Sequence, residues 1–297
     1  MREDVRVALD RVILFRLATS TRFERAVRIA PGGERAAWRR ASRYVAGTSA
    51  ADAFRVAQRL AGDGVAASVD QFGEHVGNRD TADAVAASYV RLAEDLAEHP
   101  PSVWLAVDLS HMGLDVDTGR CADHLAAAAA ALPPGRRIQV GAEDHTRTDA
   151  VLACVLDVAG RGLADRLGAT VQANLHRSPD DADRLVAAGV QVRLCKGAYV
   201  EPTGAHPYGE PTDVAYVRLA HRLAAAGADF SLATHDGVLR EALLAALGPR
   251  PVEHLLGVRP DVLGDLVARG VPVRVYVPFG ADWFRYWMRR VAESRGA

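Results

Sequence analysis

Lysine is all but missing from this chain of 297 residues: Lys196 is the single one, and every other cation among the 36 Lys+Arg residues is an arginine. A sequence that writes positive charge as arginine elsewhere has kept an ammonium here, which points to a site needing a compact point charge or an amine nucleophile. The competing reading is a surviving lysine on a solvated face. Long apolar runs are missing too. None approaches the roughly 20 residues that cross a bilayer, and Met1 to Arg16 carries no secretory cleavage pattern, so a cytoplasmic protein is expected. Cys121, Cys154 and Cys195 are odd in number and unrelated in spacing, which excludes a disulfide framework and a Cys-based metal knuckle. Neither sign of charge is in excess. A net charge of -1 with 25% charged residues excludes a basic nucleic-acid binder and describes an ordinary globular protein. No G-x-G-x-x-G follows a candidate strand and no H-x-H or H-x-x-x-H pair occurs, so a doubly wound dinucleotide fold and a metal hydrolase built on Asp70, Asp108, Glu143, His145 and His235 are both weak readings. No metal is expected.

What is present is alternation. Past about residue 60, β-rich apolar runs and helical patterns follow one another at a spacing of roughly 30 residues. The candidate strands are Val65–Asp70, Val103–Leu109, Arg137–Ala142, Thr170–Leu175, Val190–Lys196, Phe230–Thr234, Val252–Leu256 and Val271–Val277. Helical stretches separate them, among them Thr81–Glu98, Arg147–Leu167, Pro179–Ala188, Thr212–Ala226, Gly237–Leu247 and Pro260–Arg269. The alanine-rich run from Leu125 to Leu132 reads as packed helix, given its propensity. Pro179, Pro260 and Asp213 stand where helices start, and Gly189, Gly227 and Gly270 where they stop. Eight βα units predict an α/β fold, a (β/α)8 barrel over 61–297, with a helical extension over 1–60 packed outside it.

In such a barrel the C-terminal strand ends converge on one pocket. Asp70, Asp108, Glu143, Asp144, Gln172, Arg193, Lys196, Thr234, His235 and Tyr276 would gather there, more polar groups than packing or loop capping requires. A last helix, Trp283–Glu293, places Tyr286, Arg289, Arg290 and Glu293 on one face. Arg289 and Arg290 can grip a carboxylate or phosphate with planar forks, or merely complement the helix dipole. The aromatic residues around them, Trp283, Phe284, Tyr286 and Trp287, favour a lid over a pocket.

These residues resemble a known family. Arg193-Leu-Cys-Lys-Gly-Ala-Tyr199 is similar to the R-L-V-K-G-A-Y signature of proline dehydrogenases of the monofunctional bacterial type, flavin enzymes on a distorted (β/α)8 barrel. Ser68 to Glu74 resembles the family's S-L-D-x-L-G-E, Val171 to Ala173 its V-Q-A, and Ala233 to His235 its A-T-H. Tyr276 to Gly280 resembles its Y-x-P-x-G, and Tyr286 to Arg290 its Y-x-x-R-R. The resemblance implies that Ala142, Gln172, Arg193, Lys196, Gly197, Ala198, Thr234, His235 and Glu293 hold FAD, with Arg193 near flavin N5. It implies that Arg289 and Arg290 clamp the substrate carboxylate, with Glu74 pairing Arg289 in the closed pocket. Tyr199, Leu255, Tyr276 and Tyr286 would wall the amino-acid ring, and Arg193, Tyr276, Arg289 and Arg290 would carry the catalytic site. The implied reaction is oxidation of L-proline to pyrroline-5-carboxylate. Strict alternation puts Arg193 and Lys196 on opposite strand faces, so both reach the cofactor only if the strand ends between them.

Two positions depart from the family pattern: Asp108 stands where the family has lysine, and Gly141 where it has aspartate. A carboxylate beside the substrate carboxylate exchanges attraction for repulsion, each on the order of 4 kcal/mol at 4 Å and an effective dielectric of 20. Either Asp108 turns away, or the substrate is a proline derivative or another cyclic amine. Also open are a Schiff-base lyase using Lys196 and a non-catalytic flavin-binding barrel. The electron acceptor is left open among oxygen, a carrier protein and a quinone reached by peripheral contact at the inner membrane face.

Overall fold

Short caps and glycine stops punctuate the chain. The computed structural model describes residues 21–197, 199 and 201–294, with residues 21 and 292–294 described by their backbone. Two helices, α1 (Thr21–Ile29) and α2 (Gly33–Ala41), precede α3 (Ala50–Gly62). A capping box starts α3, in which Ser49 accepts from the Asp52 N–H while the Asp52 carboxylate accepts from the Ser49 N–H. Eight strands then alternate with helices: β1 (Ala66–Gln71), α4 (Arg79–Asp95), β2 (Val103–Val107), α5 (Thr118–Ala131), β3 (Ile138–Val140), α6 (Thr148–Val158), β4 (Leu167–Gln172), α7 (Ser178–Ala187), β5 (Gln191–Cys195), α8 (Glu210–Ala225), β6 (Phe230–Ala233), α9 (Gly237–Leu247), β7 (Val252–Leu255), α10 (Leu263–Ala268) and β8 (Val273–Phe279). A final helix, α11 (Trp283–Ser294), follows. All eight strands are parallel and close into a barrel in sequence order, as the alternation predicts.

The outer face of the sheet is the apolar one. Val69, Leu105, Val140, Val171, Val192, Leu232, Val252 and Val275 are buried in one cluster with residues of the surrounding helices. Their alternate neighbours, including Ser68, Asp70, Gln139, Thr170, Gln191, Arg193, Ser231, Glu253 and Arg274, turn to the barrel interior, where Gln139 donates to Thr170, Gln191 to Ser231, and both Ser231 and Arg193 to Glu253. Gly168 makes room for this polar filling: a Cβ there would run into the amide oxygens of Gln139 and Gln191.

Three expectations are corrected. The helix expected over Arg147–Leu167 ends at Val158, because a wide turn through Gly162 (φ 86°) unwinds it. The fourth strand therefore starts at Leu167 and not at Thr170. Asp213 does not cap a helix start; α8 begins at Glu210, and Asp213 lies in its first turn. Gly189, Gly227 and Gly270 do stop helices, each at a φ between 66° and 74°. The extension expected over 1–60 begins outside the described residues; within them, α3 packs on β1 and β8. Ala37, Ala41 and Val45 form a second core with Trp283, Phe284, Tyr286 and Met288, so the N-terminal helices brace α11. The Trp38 and Trp283 rings meet edge to face at 5.0 Å, a contact worth about 0.5–1.5 kcal/mol beyond its buried area.

Candidate active site

The C-terminal mouth of the barrel collects the polar residues. On β1, Asp70 accepts from Tyr89 on α4 at 2.8 Å and from Tyr276 on β8. Burial pushes the Asp70 carboxyl up to about 7 against those two hydroxyls and the Arg193 charge. Asp108 follows β2 and is half buried. Burial, then the charges of Asp70, Glu143 and Glu74, hold its pKa well above the carboxylate range, with Arg289 opposing. Its carboxyl occupies the space above Gly141, where an added Cβ would run into Asp108 Oδ1. This placement of Asp108 requires a residue without a side chain at 141.

After β3, Glu143 is buried and accepts the Ser110 N–H at 3.0 Å; burial raises its pKa against that bond. Gln172 at the end of β4 donates to the Glu143 carbonyl at 3.0 Å, and the Tyr199 hydroxyl donates to the Ala142 carbonyl at 3.1 Å. Thr234 Oγ1 accepts the Asp236 N–H at 3.1 Å. His235 and His254 are 3.2 Å apart through their Nδ1 atoms, and the Leu255 N–H points to His235 Nε2 at 3.4 Å. Burial and neighbouring arginines depress His235 to about 3 and His254 to about 4, so both rings are neutral at physiological pH.

The strand β5 ends at Cys195, which resolves the alternation problem for Arg193 and Lys196. Arg193 turns inward, where its Nε donates to Glu253 Oε2 on β7 at 2.7 Å. Lys196, already past the strand, lies between Asp213 of α8 at 2.6 Å and Asp236, the N-cap of α9, at 2.9 Å. Burial opposes its charge, but the two carboxylates outweigh it and raise its pKa. The ammonium is therefore fixed as a cation, which disfavours a Schiff-base lysine.

Helix α11 covers the mouth. Arg289 pairs with Glu74, and the Arg290 guanidinium sits 5.0 Å from the centre of the Tyr286 ring. The Tyr286 ring lies 5.0 Å from Phe72 and 6.1 Å from Tyr276. Asp108, Tyr199, Tyr276, Tyr286, Arg289 and Arg290 are thus gathered under one lid, with Leu255 ending β7 at the same end of the barrel. Ala198 and the Glu293 side chain lie outside the described residues. Glu253, His254 and Tyr89 stand outside every motif of the sequence; the charged Glu253-His254 pair inside an apolar strand run is the available signal.

A tightly bound flavin needs donors for its ring and cations for its phosphates, and one feature here fits it. Arg193 Nη2 is buried with no hydrogen-bond partner among the described residues, a donor that an acceptor-rich group at the mouth would satisfy. Gly197 (φ 144°) brings the backbone against Asn174, whose side chain would fill the space of any Cβ, so close packing fixes the turn that follows Lys196.

Comparison with known proteins agrees with this geometry. The family profile described as proline dehydrogenase matches residues 53–297. The chain is 34% identical to a proline dehydrogenase of Deinococcus radiodurans over 271 residues, 86% of this chain and 87% of that one. It is 30% identical to proline dehydrogenase 1 of Bacillus subtilis over 266 residues, 85% and 86% of the two chains. Among solved structures, proline utilization A (PutA) from Bdellovibrio bacteriovorus, inactivated by N-propargylglycine, superposes with a TM-score of 0.80 at 18% identity, covering 99% of this chain and 37% of that one. PutA of Bradyrhizobium japonicum gives 0.71 at 20% identity, covering 89% and 32%. This chain spans about a third of those longer proteins, and the likeness to them carries the fold. The matched profile and the two bacterial relatives, with a closed barrel roofed by a diarginine helix, make this chain a member of the proline dehydrogenase family.

Proposed function

We propose that this protein oxidises free L-proline to pyrroline-5-carboxylate with bound FAD as the electron sink. The observation that carries the reading is α11 folded over the barrel mouth, with Arg289 and Arg290 beside the Tyr276 and Tyr286 rings. The two guanidiniums bind the proline carboxylate. The tyrosine rings and Leu255 wall the pyrrolidine ring and exclude water, and this orientation is the chain's main contribution to rate. Arg193, Lys196, Gln172, Thr234, His235 and the backbone at Ala142 and Gly197 hold the cofactor, together with Ala198 and Glu293. When bound, FAD supplies the two-electron acceptor for the hydride leaving proline C5, while the amine proton departs to solvent or a neighbouring carboxylate.

The alternatives lose their support. Burial and three neighbouring carboxylates push Asp108 towards its neutral form, which weakens the repulsion its charge alone suggests, so the geometry does not demand another cyclic amine. Lys196 is caged as a cation, and the relatives offer no precedent for a lyase. No described helix is long and apolar enough to cross a membrane, and the electron acceptor is left unassigned. The test is a visible spectrum of the purified protein before and after anaerobic addition of L-proline. A flavin spectrum that bleaches is the expected result; a yellow protein unchanged by saturating L-proline would sink the substrate assignment.

A further inference from the structure

We propose that Glu253 is a positioning residue for the cofactor site: it locks Arg193 in place, and its charge lowers the electron affinity of the flavin held there. The inference deepens the flavin reading above and rests on it.

The arrangement is a clamp across three strands. In the sheet register Arg193 on β5 is opposite Ser231 on β6, and Ala233 on β6 is opposite Glu253 on β7. The arginine and the glutamate therefore stand on the same inward face with one strand between them, and they reach each other over Ser231. Arg193 Nε donates to Glu253 Oε2 at 2.7 Å, and Ser231 Oγ donates to Oε1 at 2.5 Å. Both carboxylate oxygens are engaged, and the side chains of the ion pair are only 12% and 6% exposed. With Nε anchored, the planar guanidinium cannot rotate freely, and its unmet donor is Nη2. A buried donor held in one orientation without a partner is a binding contact prepared in advance.

The charge matters as much as the geometry. Inside the barrel Glu253 faces Arg193 and, electrostatically, Arg274 of β8, which donates to the carbonyls of Ala67 and Ser102 and stacks on Trp104. Asp70 also interacts electrostatically with Arg193. Glu253 thus cancels the cation nearest the proposed cofactor contact. Electron uptake adds negative charge to the flavin, and an uncompensated Arg193 would favour it more strongly in this water-poor interior.

The experiment uses the full-length holoenzyme as wild type, Glu253→Gln and Glu253→Asp. Flavin content is read by absorbance, and the midpoint potential by anaerobic equilibration with a reference dye. Glutamine keeps the shape and loses the charge; aspartate keeps the charge and loses reach. Glu253→Gln is expected to raise the two-electron reduction constant at least tenfold, about 30 mV more positive, while Glu253→Asp stays within about threefold of wild type. A residue that merely packs Arg193 would not sort the variants by charge. A Gln variant within threefold of wild type, or an Asp variant that shifts as far as the Gln variant, overturns the assignment. If Glu253→Gln fails to fold, Glu253→Asp decides alone: a potential within about threefold of wild type is expected, and a tenfold or larger shift overturns the assignment. Wild-type protein that neither retains nor takes up FAD overturns the cofactor reading itself, a result distinct from flavin bound at an unmoved potential.

Discussion

Replacing Asp108 by asparagine tests whether its protonation is what reconciles an acidic residue with a carboxylate substrate. Asp108 sits among Asp70, Glu143 and Glu74, with Arg289 the opposing charge, and burial with those carboxylates raises its pKa. While it is neutral, it costs the substrate carboxylate nothing. Once ionised it repels, by up to ~4 kcal/mol at 4 Å and an effective dielectric of 20. Residual solvent and side-chain rotation reduce that severalfold, leaving about 1.4 kcal/mol, or a factor of ten in affinity. The sign follows: the wild-type KM for L-proline is low on the acid side and rises as pH climbs through the raised pKa. Asparagine keeps the shape above Gly141 and never ionises. The variant should match wild type in acid, and at alkaline pH its KM should be about tenfold lower with kcat little changed. The assay is dye-linked proline oxidation over the whole pH range in which the protein stays folded, with kcat and KM separated; titration of the substrate itself cancels in the ratio. Superimposable KM profiles for the two proteins would refute the reasoning.

Four further outcomes follow from the same geometry. Gly141→Ala should lower thermal stability by about 1–3 kcal/mol through overpacking against Asp108, and an Asp108→Ala background should remove most of the loss, a coupling that a double-mutant cycle of melts measures. Asp70 is neutral-favoured up to about 7, so its contribution to stability is full below about pH 4 and lost as pH rises to about 7; Asp70→Asn should flatten the melting temperature across that window. Lys196→Met should lower FAD retention on dialysis, and borohydride should trap no substrate adduct on wild-type Lys196, because the paired ammonium is not a nucleophile. Arg289→Gln should raise the KM for L-proline by roughly ten- to a hundredfold, the cost of about 1.5–3 kcal/mol for a lost charge-assisted contact, with a smaller effect on kcat.

What was legible in the sequence divides along a physical line. The barrel was, because alternation of apolar runs and helical periods is a local signal repeated eight times in the sheet. The fourth strand was misplaced by three residues at its start because alanine and leucine carry a helical pattern straight across Gly160 and Gly162, and only the structure shows where the helix unwinds. Asp213 looked like a cap because its type suits one; its partner is Lys196, a residue 17 positions away that no local rule connects to it. At the site, residues carried by short motifs could be named in advance. Residues whose role depends on register could not: Glu253 matters because β5, β6 and β7 align to place it across Ser231 from Arg193. Asp108 shows the limit most clearly. Its identity and its link to Gly141 could be read, but the sign of its effect on an anionic substrate depends on whether it carries a charge. That charge is set by burial and by three carboxylates arriving from β1, from the loop after β3 and from the segment after β1, a sum that exists only once the barrel closes.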